Sequence, residues 1–211
     1  MKVVVFGANG GIGRLVVDEL LHRGVGVTAV VRRESGFPKR DGLHIAPVPE
    51  LRPPTRLVPL IRGADSVIST IGPRSLRDSG ITAPITTSIV AAMHQAGVGR
   101  IVVVSAAPVG AVPPDETPVL RYLLRPLIWS ILGRHYRDLA AMEATLAGSG
   151  LAWTALRPPR LNDGPRTDRY RLRSGGSVPG GFIVSRADVA AAICDAACKP
   201  GSANGPLGIA D

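Results

Sequence analysis

A chain of 211 residues with 45% hydrophobic content can bury one substantial core, and no composition shift divides it, so a single domain over 1–211 is expected. Its net charge of +9 would ordinarily raise nucleic acid as a partner, but the 22 arginines and three lysines (Lys2, Lys39, Lys199) are scattered and do not gather into a stripe. The longest apolar segment is too short and too charged to span a bilayer, no leader precedes the first strand, and Cys194 and Cys198 lack a histidine cluster. A cytoplasmic protein with a small-molecule substrate, and without metal, membrane or nucleic-acid partners, is therefore expected.

Lys2 to Phe6 (KVVVF) is an apolar β-branched run that predicts a strand, and the amphipathic run from Gly11 to Arg23 predicts a helix above it. Between them the spacing is GxxGxxG. Gly7 permits a tight turn, Gly10 lets the backbone approach a phosphate without a Cβ in the way, and Gly13 lets helix and strand pack closely. With the free N–H groups at the helix start, the stretch Gly7, Asn9, Gly10, Gly11, Ile12 and Gly13 is a candidate pyrophosphate cradle. A second strand, Val25 to Val31, ends about 19 residues after Gly13, where the dinucleotide fingerprint expects its ribose reader. Arg32 and Arg33 stand there. An acidic residue would accept from a ribose 2′-hydroxyl, whereas paired guanidiniums suit a 2′-phosphate, so NADP(H) is read over NAD(H).

Further along, Leu43 to Val48 reads as a short third strand, Pro54 to Arg62 as a helix, and Ala64 to Ile71 as an apolar strand ending at Gly72-Pro73. Helix Ile85 to Ala96 then leads to strand Arg100 to Ser105. This alternation predicts a doubly wound parallel sheet, an α/β Rossmann-like architecture in which ligands gather at the carboxyl ends of the strands. Thr70, Ile71, Gly72 and Ser105 fall on that edge with the glycine stretch. The apolar segment Val119 to Leu132 is a buried helix, a wall or lid over a pocket, or a dimer face. Helix Tyr136 to Ala147 precedes strand Ala152 to Arg157, which ends at Pro158, Pro159 and Arg160. Arg166 to Arg173 suits one charged face of a strand. Ser185 and Asp188 form a capping pair opening the final helix, Ala187 to Cys198, on which both cysteines are expected to be buried.

Together the motifs FGANGGIG, VVRRES, ISTIGPR, AAMHQAGVGRIVVVSA, LAWTALRPPRLNDGP and SRADVAAAI resemble the atypical short-chain dehydrogenase/reductase group, the NmrA-like NAD(P)H-binding proteins that include biliverdin-IXβ/flavin reductase. The resemblance covers nearly the whole chain. It implies NADPH lying along a single Rossmann domain, a substrate pocket built from the C-terminal half, and hydride transfer to a flat or conjugated acceptor of flavin, quinone, tetrapyrrole or polyketide type. It also matches Ser105 to the group's active-site serine at a strand end.

Three departures, the first from ordinary short-chain dehydrogenases and shared with the flavin/biliverdin reductase branch, the second from that branch and the third from the family, bear on mechanism and cofactor binding. No YxxxK is present, because Tyr122, Tyr136 and Tyr170 are followed four residues later by Pro126, Ala140 and Ser174. The pocket histidine after the double proline is replaced by Arg160, which cannot donate a proton at neutral pH but can stabilise negative charge. The acidic residue expected after the third strand gives way to Pro47, Val48 and Pro49. Ser105, Arg160 and Tyr136 are accordingly the catalytic candidates: Ser105 to orient, Arg160 to stabilise charge, and the proton to come from water or, less favoured, from Tyr136. Ser105 and Pro158 complete the cofactor-binding set. Each candidate has a plainer reading: Ser105 as a strand-end hydroxyl bonded to backbone, Arg160 as an ion-pair partner of Asp163, and Tyr136 as a packed helical residue. A sensor that binds NADP(H) without turnover, and a tailoring isomerase or cyclase that uses the cofactor without net redox change, are the competing functions.

Overall fold

Alternation within the first strand decides how the domain is layered. In β1 (Lys2–Phe6) every residue after Lys2 is fully buried, with Val3 and Val5 in one apolar core and Val4 and Phe6 in the other, as the two-residue period of a strand buried on both faces requires. The computed structural model describes residues 1–33, 37–73, 80–110, 125–199 and 204–211, with the backbone alone at 125–128 and 131. After β1 come α1 (Gly11–His22), β2 (Gly26–Val31), β3 (Leu43–Pro47), the short α2 (Val58–Ile61), β4 (Ser66–Ser69), α3 (Thr82–Ala96) and β5 (Arg100–Val104). The chain continues through α4 (Arg125–Ala147), β6 (Ala152–Arg157), β7 (Arg160–Asn162), β8 (Arg171–Ser174), β9 (Ile183–Ser185), α5 (Arg186–Cys198) and β10 (Gly205–Ala210).

Eight strands form one sheet in the order β3-β2-β1-β4-β5-β6-β10-β8, parallel throughout except for the edge strand β8, while β7 and β9 pair in a separate parallel ribbon. Helices α1 and α5 cover one face, α3 and α4 the other. This is a doubly wound, Rossmann-like α/β domain. Its strand order reverses at β1, which has β2 on one side and β4 on the other, and a crevice opens there beyond the carboxyl ends.

Several boundaries differ from the sequence reading for tertiary reasons. Helix α3 begins at Thr82 instead of Ile85 because Asp138, reaching across from α4, accepts from Thr82 N (2.9 Å), Ala83 N (3.0 Å) and Gly80 N (3.2 Å). A cap supplied by another helix leaves no local signature. Helix α4 starts at Arg125, not Tyr136, since Pro126 falls in the first turn, where no intrahelical N–H is lost. Residues 119–124 of the apolar segment lie outside the described residues. The Pro54–Arg62 helix divides into a 3₁₀ turn, Pro54–Arg56, and α2. The basic stretch supplies β8, and β10 has no counterpart in the sequence reading, which assigns no element after Cys198. In β10, Gly208 serves close approach, as a Cβ there would sit 2.2 Å from Gly176 O.

The Ser185–Asp188 cap forms as predicted, with Asp188 N donating to Ser185 Oγ at 2.9 Å. Cys194 is buried and Cys198 half-buried, and both are free thiols; burial pushes Cys194 up to about 12, so it stays protonated. Among the described residues no helix is long and apolar enough to cross a membrane.

Candidate active site

A cleft of about 540 Å³ occupies the crevice. Its floor is the turn after β1. Gly7 has φ +75°, and a Cβ there would meet the Thr70 carbonyl carbon at 2.9 Å; a Cβ on Gly13 would lie 2.2 Å from Gly7 O. These contacts are the close strand–turn–helix packing that the glycine spacing predicts. Gly10 N donates to Gly7 O at 2.9 Å, and the Thr70 hydroxyl lies 3.1 Å from the carbonyls of both Phe6 and Gly7, tying the end of β4 to the turn. No side chain caps α1, and no acidic residue occupies its first turn. The opening N–H groups of α1 therefore retain their hydrogen-bonding capacity at the positive pole of the helix.

Gly7, Asn9, Gly10, Gly11 and Ile12 line the cleft, as do Arg32 from the end of β2 and Thr70, Ile71 and Gly72 after β4. Val48, Pro49 and Leu51 add an apolar wall after β3. Among the described lining residues, charge comes from Arg32 and from Arg186 at the start of α5, with no carboxylate. Gly13 is buried beneath the turn, and Arg33 is exposed outside the lining. Asn9 Oδ1 accepts from Arg14 Nη2 at 3.1 Å, and the Arg14 guanidinium lies 5.2 Å from the centroid of the Phe37 ring.

Beyond the end of β5 the chemistry changes from open to closed. Ser105 is 6% exposed and donates its hydroxyl to Glu143 Oε1 at 2.5 Å. Glu143, on α4, also accepts from Arg157 Nε at 3.0 Å and forms a second, shorter bond to Arg157 Nη2, a two-point pair buried on both sides. Arg157 ends β6 and packs under Gly110, where a Cβ would approach its Nη1 to 2.6 Å. The buried Pro158 offers its carbonyl to Ala107 N at 2.9 Å. Tyr136 is 6% exposed in the core between Trp129 (ring centroids 5.4 Å apart) and His135 (5.7 Å), and burial raises its hydroxyl pKa. Arg160 is exposed at the start of β7, and Asp163 pairs with Arg186 instead, Nη1 donating to Oδ1 at 2.5 Å.

A family profile described as NAD(P)H-binding matches residues 7–200, from the glycine turn to the end of the last helix. The chain belongs to the NAD(P)H-binding family. Solved structures agree on the fold. A Rossmann-fold NAD(P)-binding family protein from Shigella flexneri is 27% identical, with TM-score 0.70 over 99% of this chain and 92% of that one. A wide-type short-chain dehydrogenase/reductase from Veillonella parvula, in complex with NADP, superposes with TM-score 0.79 at 21% identity over 100% and 94%. A Streptococcus pneumoniae protein named for NADH-flavin reductase gives 0.77 at 24% over 100% and 99%. Among curated proteins, a fatty acid hydroxylase from Mycosarcoma maydis is 38% identical over 90 residues, and the match takes in 38% of this chain and 30% of that protein's length. Family membership and fold fit the atypical short-chain dehydrogenase/reductase resemblance carried by the motifs.

Within this NAD(P)H-binding domain the structure gathers most of the predicted cofactor set in one cleft, while Arg33, Gly13, Ser105 and Pro158 stand outside its lining. Of the three catalytic candidates, Ser105 bonds a buried carboxylate, Arg160 is exposed, and Tyr136 is packed in the core. Glu143, Arg157 and Arg186 escape the sequence reading. Glu143 and Arg157 are single charges within apolar helix and strand patterns, the one local signal that they would need a buried partner. Arg186 lies between the two residues of the predicted capping pair.

Proposed function

We propose that the protein is an NADPH-dependent reductase that passes hydride to a flat or conjugated small molecule. The observation that carries the reading is the glycine cradle at the strand-order reversal, with Arg32 lining the same cleft from the end of β2. The residues present fit the cofactor. Gly7 makes the tight turn, Gly10 and Gly11 line the cleft without side chains so that a pyrophosphate can approach the N–H groups of α1, and Arg32 supplies charge-assisted bonds to a 2′-phosphate. Val48, Pro49 and Leu51 offer the adenine ring an apolar wall in place of the missing carboxylate.

Bound NADPH supplies the hydride, and the chain's own residues orient the partners and balance charge. Because the Ser105 proton is engaged by Glu143, its oxygen acts as a hydrogen-bond acceptor that orients the nicotinamide amide or the acceptor molecule. Glu143 and Arg157 hold that oxygen in place. Arg160, which no carboxylate among the described residues pairs, stabilises negative charge developing on the acceptor. Tyr136 is a poor acid in its apolar surroundings, so the proton comes from solvent.

One observation favours a second reading, a protein that binds NADP(H) and reports on it without turnover: the described lining residues include no side chain suited to donating a proton. The test is loss of reduced-nicotinamide absorbance with purified protein, NADPH and a panel of flavins, quinones and biliverdin. Sustained oxidation with at least one acceptor is expected. Binding of NADPH with no oxidation across the panel would replace the reductase by the sensor.

A further inference from the structure

Arg186 is a charged residue of the cleft lining that the proposed function leaves without a role, and its placement is specific. It opens α5, on the face of the sheet that α1 shares, and its stem lies over the first residue of α1: a Cβ on Gly11 would meet Arg186 Cδ at 3.3 Å and Nε at 3.4 Å. Its backbone is fixed by the residues on either side. Ser185 caps the helix, and the fully buried Asp188 accepts from Ser185 Oγ (2.8 Å), Thr167 N (2.9 Å), Thr167 Oγ1 (3.0 Å) and Asp168 N (2.9 Å). The side chain is aimed by Asp163, whose carboxylate takes one N–H of the guanidinium. A guanidinium has five N–H donors in a planar fork, so the bond to Asp163 leaves donors for a second anion.

We propose that Arg186 is a diphosphate-binding arm of the cofactor site, meeting the pyrophosphate oxygens beside the first turn of α1. The inference rests on the cofactor reading above and deepens it. A reduced dinucleotide phosphate carries negative charge at two separated points, the pyrophosphate and the 2′-phosphate, and the two cations among the described lining residues answer them separately. Arg32 stands at the end of β2, where the ribose lies in a doubly wound site, and Arg186 stands over the glycine turn. Arg186 approaches from a segment more than 170 residues along the chain from that turn, and Asp163 links it to the β7 segment that carries Arg160.

The test uses ligands that each contain one anionic point. Full-length wild type, Arg186→Ala, Arg186→Lys and Arg32→Ala are titrated calorimetrically with NADPH, with ADP (diphosphate but no 2′-phosphate) and with adenosine 2′-monophosphate (the converse). Thermal unfolding of each variant checks that it is folded. Arg186→Ala is expected to weaken NADPH and ADP by the same factor, about ten- to a hundredfold, with adenosine 2′-monophosphate unchanged. Arg186→Lys should fall between it and wild type. Arg32→Ala should give the converse pattern. Wild-type affinity for ADP in Arg186→Ala, or an equal loss for all three ligands, overturns the assignment while leaving the cofactor reading intact. Failure of wild type to bind any of the three overturns both.

Discussion

At the ends of β1, β2 and β4 the N–H groups of α1 and the Arg32 guanidinium face a cleft, whereas at the ends of β5 and β6 Ser105, Glu143 and Arg157 satisfy one another in a closed cluster. The two regions are neighbours on one sheet edge, yet they handle polarity in opposite ways. The first is an open region built mostly from backbone and glycine, and under the proposed function it is a receptor whose polar partners come from a ligand. The second is a scaffold whose charges are matched within the chain and which fixes where the strand ends, the turn at 107–110 and α4 meet. Substitutions of the charged pair in the scaffold should register first as lost stability, and those of exposed receptor side chains as lost binding.

Breaking the closed cluster is the largest expected effect. Glu143→Ala leaves the Arg157 guanidinium buried without its partner and should cost about 3–5 kcal/mol in urea unfolding. Replacing both residues together by apolar ones of similar volume should restore most of it. A loss below about 1 kcal/mol for the single substitution would mean that the cluster is not closed, and the contrast would fail.

Next comes Asp188, the buried support beneath the receptor side. Burial alone would raise its pKa, but the N–H groups of Thr167 and Asp168 and the hydroxyls of Ser185 and Thr167 hold it below its ordinary 3.8. The unfolded chain therefore takes up the proton first as pH falls. The contribution of Asp188 is fully present above 3.8 and is lost as pH drops through its depressed value. Asp188→Asn should lower stability by about 1.5–3 kcal/mol at neutral pH and flatten the acid limb of a Tm-against-pH curve. An unchanged acid limb would remove Asp188 from the account.

Gly13→Ala forces a Cβ to within 2.2 Å of Gly7 O and should cost about 1–3 kcal/mol while also abolishing cofactor binding, because it displaces the turn itself. Arg32→Ala sits at the other limit. It should shift stability by no more than about 0.5 kcal/mol, since the side chain is exposed, and yet weaken NADPH about ten- to a hundredfold.

The same division governs how legible each region is in the sequence. The receptor can be read because a backbone device leaves a local trace: an apolar strand, three glycines at fixed spacing, a helix, and two arginines at the end of the next strand. The closed cluster cannot. Glu143 and Arg157 meet because α4 and β6 fold against each other, and nothing in the neighbours of either residue names its partner. The Asp138 cap on α3 is hidden for the same reason. Tyr136 shows the limit of residue type as a guide, since a phenol with candidate proton chemistry lies against Trp129 and His135 in the core. β10 carries no expected element because Gly205, Pro206 and Gly208 interrupt its apolar run, and Gly208 marks the close approach of two backbones.

If the open region receives NADPH through Arg32 and the glycine cradle, Arg32 sets the choice between the two nicotinamide cofactors. A paired calorimetric titration of wild type and Arg32→Ala with NADPH and NADH reads that choice. Wild type is expected to prefer NADPH by about tenfold or more, and Arg32→Ala to erase the preference by weakening NADPH alone. Equal wild-type affinity for the two cofactors, or a preference that survives in Arg32→Ala, would contradict that role of Arg32.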